Sequence, residues 1–291
     1  MSLLLAGTIP STDLELITGE AVLADGKLLI GRTSVPINRG TAAMIGAACA
    51  IAACCNDEAP RCVIGGDIGK RTGSRSVYRY LIRELPRLDA SILCLHYIIP
   101  DIALHNQMLS SVRKMASRPL LIADAGFMYA AKASGQASCY DLFLPDLGEL
   151  AFLADDKAMH PAYTRGFLTR LEDNPAGLIE RAYTSNNAAR YLCVKGRRDY
   201  ICTEGKIINE ISSPVIEELE PVGGTGDTIT GMVAGLVQHG YQLPEACSIA
   251  CTANRLAGQM AHLSPATQIH EIISLIPAAI SKLVTPPTHR P

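Results

Sequence analysis

Between residues 61 and 194 the chain alternates short apolar runs with longer helix-forming segments. That rhythm restricts the fold more than any other feature of the sequence. Apolar runs at 61–64, 91–95, 119–123, 141–144 and 190–194 have strand length and no regular polar alternation, so they read as strands buried on both faces. The segments 74–85, 101–115, 148–153 and 174–188 read as the helices between them, the last with Pro175 in its first turn. Strand–helix alternation of this kind predicts an α/β fold, a three-layer sandwich whose mostly parallel central sheet is covered by helices on both faces. Residues 2–6 add a strand, and Asp25-Gly26 joins 21–24 to 27–30 in a hairpin. Residues 41–55 are Ala- and Ile-rich and read as a buried helix. A second hairpin turns at Glu204-Gly205, and three helices follow near 228–238, 243–262 and 269–283. One domain over 1–284 and a Pro-rich tail over 285–291 account for the whole length.

In a sheet of this type ligands sit beyond the carboxyl ends of the strands. Polar residues stand at those positions: Asp67, His96, Asp124, Asp146 with Glu149, Lys195, and Asp227 after the last strand. Acids, one lysine and a glycine loop together suggest a site for polyphosphate and Mg²⁺. The glycine loop is Gly223-Gly224-Thr225-Gly226-Asp227, followed by a small, apolar helix that stops at His239-Gly240. Free N–H groups and the positive dipole end at such a helix start form an anion hole. Asp227 has two readings: a helix cap, or a base that takes the proton of a hydroxyl attacking a phosphate held beside it.

Other motifs keep paired readings. Gly65-Gly66-Asp67 is a substrate- or phosphate-binding turn, or a plain tight turn. It is not a Walker A loop, because Ile64 and Arg71 occupy positions that need Gly and Ser or Thr. No Gly-x-Gly-x-x-Gly supports a Rossmann site. Asp146 and Glu149 either hold a water-rich Mg²⁺ or cap the helix they open. Lys195 either steadies a phosphate or belongs to a solvated turn with Arg197 and Arg198. His96 is a lining or structural residue, and Asp124 stands at a site-like strand end. The polar segment His160-Pro161-Ala162-Tyr163-Thr164-Arg165 reads as a lid or an oligomer contact.

Composition narrows the partners. A net charge of −2 implies no nucleic-acid partner. No uninterrupted apolar stretch is long enough for a membrane span, and the first nine residues make a poor signal peptide. The ten cysteines are scattered, with no C-x-x-C and no Cys/His set at zinc spacing. They predict free thiols in a reducing cytoplasm, with neither a functional zinc nor a disulfide. The expected partners are a small-molecule substrate and a nucleotide, on a homo-oligomer.

The stretch Pro-Val-Gly-Gly-Thr-Gly-Asp-Thr-x-x-Gly-x-x-Ala-Gly-Leu, from Pro221 to Leu236, resembles the Gly-Thr-Gly-Asp signature of the ribokinase-like superfamily. Asp124-Ala125-Gly126, Lys195-Gly196 and Ile276-Pro277-Ala278-Ala279-Ile280 extend the resemblance toward the ATP- or ADP-dependent NAD(P)H-hydrate dehydratases. Pro145-Asp146-x-Gly148-Glu149 is similar to that family's strand-end motif, with Asp146 where Asn or His is usual. The resemblance covers roughly 120–283. Departures are Gly46-Ala47-Ala48, which precedes the Gly65-Gly66 strand, and Thr252-Ala253-Asn254-Arg255 in place of a His-Gly segment. The resemblance implies a fold of that superfamily, ATP or ADP with Mg²⁺ as cofactors, and transfer of a terminal phosphate to a hydroxyl. It implies Asp227 as base, Gly223 to Gly226 and Lys195 around nucleotide phosphate, and Asp146 and Glu149 near the metal. Gly65, Gly66, Asp67, His96 and Asp124 then fall on the substrate side. The product is NAD(P)H from its hydrate, or in a small-molecule kinase the phosphoester; a non-catalytic nucleotide-binding protein is the remaining alternative.

Overall fold

The computed structural model describes residues 1–158 and 174–284. The polar segment at 160–165 and the tail at 285–291 lie outside the described residues. The strands are β1 (Leu3–Ile9), β2 (Ile17–Ala24), β3 (Lys27–Ile30), β4 (Thr33–Pro36), β5 (Arg61–Gly66), β6 (Ile92–His96), β7 (Leu120–Ala123), β8 (Leu142–Phe143), β9 (Tyr191–Val194), β10 (Asp199–Thr203) and β11 (Lys206–Ile211). They form a sheet in the order β11-β10-β9-β8-β7-β6-β1-β5-β2-β3-β4. From β9 through β5 every pairing is parallel. The additions at both flanks are antiparallel.

The helices are α1 (Thr41–Cys55), α2 (Thr72–Glu84), α3 (Ile102–Val112), α4 (Gly126–Ala133), α5 (Leu147–Ala154), α6 (Pro175–Thr184), α7 (Thr225–His239), α8 (Leu243–Met260) and α9 (Ile269–Ser281). Alternation along β1 divides them. Leu3 and Leu5 pack into one apolar cluster with α1, α7, α8 and α9, whereas Leu4 and Ala6 pack into a second with α2 to α6. The parallel strands therefore meet side chains on both faces, which explains their continuous apolar sequence.

The structure differs locally from the sequence reading. β4 and α4 are additional, because Thr33–Pro36 is too short and α4 too close to the Asp124 turn to stand out as periodic. Asp227 does not follow a strand end directly; a 3₁₀ turn at Glu217–Leu219 and a loop separate β11 from α7.

The closest helix contact joins α1 and α7. A Cβ added at Gly231 would lie 1.9 Å from the Met44 carbonyl oxygen, and one at Gly235 would lie 2.8 Å from Ile51 Cβ. Glycine at these two positions lets the helix backbones touch. Contacts at the starts of the two helices (Gly40–Asp227) and at their ends (Asp57–His239) show that they run side by side in the same direction.

Candidate active site

The starts of α1 and α7 and the ends of β6, β7 and β9 come together at the carboxyl edge of the sheet. The loop before α7 turns at Gly224, whose φ of 105° lies in the region that disfavours every other residue. A Cβ there would also press on Ile269 Cγ1 at 3.0 Å and Arg39 Cα at 3.2 Å. The turn leaves the first-turn N–H groups of Thr225, Gly226 and Asp227 without intrahelical partners. Gly223 lies against the exposed Arg39, so a cation flanks this loop. Thr225 Oγ1 donates to the Val222 carbonyl at 3.3 Å and fixes the loop.

Asp227 sits on the third residue of α7 with its carboxylate aimed at α1 and β6. Its Oδ2 accepts from the Gly40 backbone N–H at 2.7 Å. Its Oδ1 lies 3.1 Å from His96 Nε2. Gly224, the residue capping α7, has no side chain to accept from the first-turn N–H groups. Burial works against the charge of Asp227. The His96 hydrogen bond and charge, then Lys195 and the Gly40 N–H, outweigh it and hold the carboxyl below the usual carboxylate range. An ionised Asp227 requires His96 Nε2 to be the donor. The other ring nitrogen, Nδ1, is 3.0 Å from Thr41 Oγ1, so the imidazole is held at both ends.

Behind His96 lies Asp124, with Oδ2 at 3.7 Å from Nε2. Asp124 Oδ2 is 2.7 Å from Lys195 Nζ and accepts from Thr230, while Oδ1 accepts from the Ala125 N–H at 2.7 Å. His96, Asp124 and Thr230 are fully or almost fully buried; the network reaches solvent at Asp227 and Lys195, with side chains 14% and 11% exposed. Burial lowers the Lys195 pKa, but Asp124, Glu149 and Asp227 reverse this and raise it overall. Lys195 therefore stays charged, and its side chain reaches the glycine loop, 3.7 Å from a Cβ built on Gly226.

Arg255 steadies the turn that follows Lys195. Its guanidinium donates to Asp199 Oδ2 at 2.7 and 3.0 Å and to the carbonyls of Gly196 and Arg197. Burial pushes Asp199 up to about 6 despite Arg255. Next along α8, Asn254 Oδ1 lies 2.7 Å from Thr228 Oγ1 on α7. The Thr252-Ala253-Asn254-Arg255 segment thus braces both the glycine-loop helix and the Lys195 turn.

Asp146 and Glu149 form a capping box at the start of α5: each accepts from the other's backbone N–H, at 2.9 and 2.7 Å. Glu149 Oε1 also accepts from Tyr129 at 2.7 Å. Loss of solvent, then Asp124, then Asp146 push the Glu149 carboxyl up to about 8 against the pull of Lys195. That surplus of negative charge, beside an exposed hard oxygen donor in Asp146 Oδ2, fits a water-rich divalent cation. His96, Asp124 and Asp227 also offer three ligand atoms within 4.8 Å of one another. Asp124 already has Lys195 for a counter-charge, and imidazole is a poor ligand for Mg²⁺.

The glycine turn after β5 stands apart from these residues. Asp67 accepts from the N–H groups of Gly69, Arg71 and Ser74, which folds the loop into α2. Gly65 and Gly66 lie against the backbone of Gly73 and of Ser11 and Leu14. These three reach the same sheet edge but two strands from His96, across β1. Sequence reasoning did not find Gly40, Thr41, Thr230 or Tyr97. Thr230 had a signal, because it follows Asp227 by three residues and shares its helix face. Tyr97 has a φ of 49° and stacks edge-on against His96, half-exposed beside Gly40.

"Uncharacterized protein MJ1337" of Methanocaldococcus jannaschii is 43% identical over 238 residues, spanning 81% of this chain and 98% of that protein. No family model matches the chain. Among solved structures, the ADP/ATP-dependent NAD(P)H-hydrate dehydratase of Bacillus subtilis, co-crystallised with ATP/Mg²⁺, superposes with a TM-score of 0.56 at 15% identity, covering 97% of this chain and 92% of its own. A ribokinase-like superfamily protein of Enterococcus faecalis gives 0.57 at 13% identity, covering 97% and 87%. The tetrameric inhibited form of phosphofructokinase-2 from Escherichia coli gives 0.53 at 14% identity, covering 97% and 100%. No helix among the described residues is long and apolar enough to cross a membrane.

Proposed function

Because the chain has the fold of the ribokinase-like superfamily and belongs to one family with the M. jannaschii protein, we propose that it is a nucleotide-dependent enzyme that transfers a phosphoryl group to a small-molecule hydroxyl. The observation that carries this reading is Asp227, held ionised by the Gly40 N–H and His96 at a helix start turned by glycine. Each of its oxygens keeps a lone pair that can accept the hydroxyl proton. A carboxylate of lowered pKa is a weak base, so it takes the proton late, as the oxygen–phosphorus bond forms and the nucleotide's bridging bond breaks. The N–H groups of Thr225 and Gly226, with Gly223 and Gly224 shaping the loop, receive the phosphate charge. Lys195 supplies a fixed positive charge to the same phosphate. Asp146 and Glu149 would hold Mg²⁺, which screens the phosphate charges when bound.

Two outcomes follow from the same transfer. In the dehydratase reading the new phosphate leaves, a double bond forms, and NAD(P)H is recovered from its hydrate; the fold shared with the B. subtilis dehydratase supports testing this first. In the kinase reading the phosphoester is released. Incubating the purified chain with ATP or ADP, Mg²⁺ and a panel of hydroxyl acceptors that includes NAD(P)H hydrate separates them. NAD(P)H absorbance marks the first and a phosphorylated acceptor the second. Nucleotide binding without turnover on any acceptor would favour a binding protein instead.

A further inference from the structure

The C-terminal ends of α1 and α7 meet at the opposite end of the helix pair from Asp227, about 18 Å away along α7 at a rise of 1.5 Å per residue. There, Cys55 at the last turn of α1, Asp57 just beyond it and His239 at the end of α7 point into one another. Their ligand atoms, a thiol sulfur, a carboxylate oxygen and an imidazole nitrogen, all lie within 4.8 Å of one another. We propose that Cys55 Sγ, Asp57 and His239 Nδ1 form a binding site for a divalent transition ion of the zinc class, which staples the ends of α1 and α7.

The donor set points to the ion. Thiolate, imidazole and carboxylate together suit zinc, and three protein ligands leave a fourth position in a tetrahedral shell. That position is open to water or to Cys54, whose Sγ is 3.9 Å from Cys55 Sγ. The surroundings favour a cation. Two helices present their negative dipole ends here, and the last turn of α1 contains no basic residue. The backbone is set before any ion arrives. Asn56 takes a left-handed φ of 58°, and the Asp57 N–H donates to the Ala52 carbonyl at 2.9 Å, which folds Asp57 back toward α7. Gln238 Nε2 donates to the Glu58 carbonyl at 2.9 Å and ties that turn to the partner helix. Asp57 and His239 are each 23% exposed and 2.9 Å apart, so an ion can enter and needs little movement to bridge them. Binding displaces the Cys55 thiol proton. Spacing along the chain hides the set, since Asp57 and His239 are 182 residues apart. The competing account is a plain Asp57–His239 ion pair with Cys55 as a bystander.

Cobalt(II) titration of the full chain, purified without chelator, tests the site. The expected result is one Co²⁺ per chain, with the thiolate-to-cobalt absorption band and the intense ligand-field bands of a tetrahedral ion, displaced by Zn²⁺. Cys55→Ser should abolish the thiolate band. His239→Gln and Asp57→Asn should each weaken binding at least about 100-fold, since loss of outer-shell partners alone costs about 10- to 100-fold. Zn²⁺ should raise the Tm of the native chain and of Asp227→Asn, but not of these three variants. Far-ultraviolet circular dichroism of the metal-free variants confirms that each is folded. Absence of the thiolate band in the native chain, or its persistence in Cys55→Ser, overturns the proposal. Undiminished affinity in both His239→Gln and Asp57→Asn would also overturn it, because the vicinal thiols of Cys54 and Cys55 would then bind alone.

Discussion

The backbone N–H of Gly40 donates to Asp227 Oδ2 at 2.7 Å, joining the start of α1 to the start of α7 across 187 residues of chain. This bond and the His96 contact fix both carboxylate oxygens from one side, which leaves the other side for substrate. Asp227→Asn keeps an acceptor for the Gly40 N–H but loses the basic charge. Nucleotide Kd is expected to stay the same or tighten, while kcat falls about 10²- to 10⁴-fold. Calorimetric titration and turnover on this one variant check it; an unchanged kcat would retire Asp227 as base.

Lys195 and Asp124 form a buried pair at 2.7 Å. Lys195→Met strands a carboxylate that is 2% exposed, and breaking such a pair costs about 3–5 kcal/mol. The double variant Lys195→Met/Asp124→Asn is expected to recover most of that stability but none of the nucleotide affinity. Denaturant unfolding and nucleotide titration on the two variants read the two effects separately.

Glu149 titrates in the folded chain at about 8, above its ordinary 4.5. Between these values the folded state binds more protons than the unfolded state, so stability falls as pH rises through that window. Glu149→Gln should flatten the fall, because amide and protonated acid make similar contacts. Tm measured from pH 5 to pH 8 for both proteins tests the sign; an equal slope in the two would remove Glu149 as its source.

Gly231→Ala should loosen the α1–α7 contact. The added methyl meets the Met44 backbone carbonyl at 1.9 Å, and a backbone cannot swing aside as a side chain can. Overpacking of this kind costs about 1–3 kcal/mol or more, against roughly 1 kcal/mol gained in helix propensity. A lower Tm is expected, together with a larger loss of kcat than the Tm alone implies, because the helix starts move with the contact.

The sheet was legible because its central strands are buried on both faces and so read as unbroken apolar runs between helices. The glycine loop and Asp227 were legible because φ > 0 at Gly224 demands glycine and the helix start demands free N–H groups. His96 was visible only as a polar residue at a strand end. Its partner, Asp227, is 131 residues away, and no local pattern encodes such a pairing. Gly40 and Thr41 were hidden for a related reason: Gly40 acts through its backbone, and Thr41 looks like any first residue of a helix. Asp67 looked like the other strand-end acids, yet its oxygens are turned inward to three backbone N–H groups. Sequence alone could not tell an acid that joins the network around His96 from one that folds its own loop.

The motifs by which the chain is recognised begin near residue 120, but Gly40, Thr41 and His96 come before that point. A fragment trimmed to the recognisable part would retain Asp227, Lys195 and the whole glycine loop. It would lack β1 and β6, the middle of the sheet, and every group that orients Asp227 from the α1 side. The signature is therefore not a portable module. A graft or a split of this chain that keeps only the later half carries the signature without the groups that hold Asp227 in place.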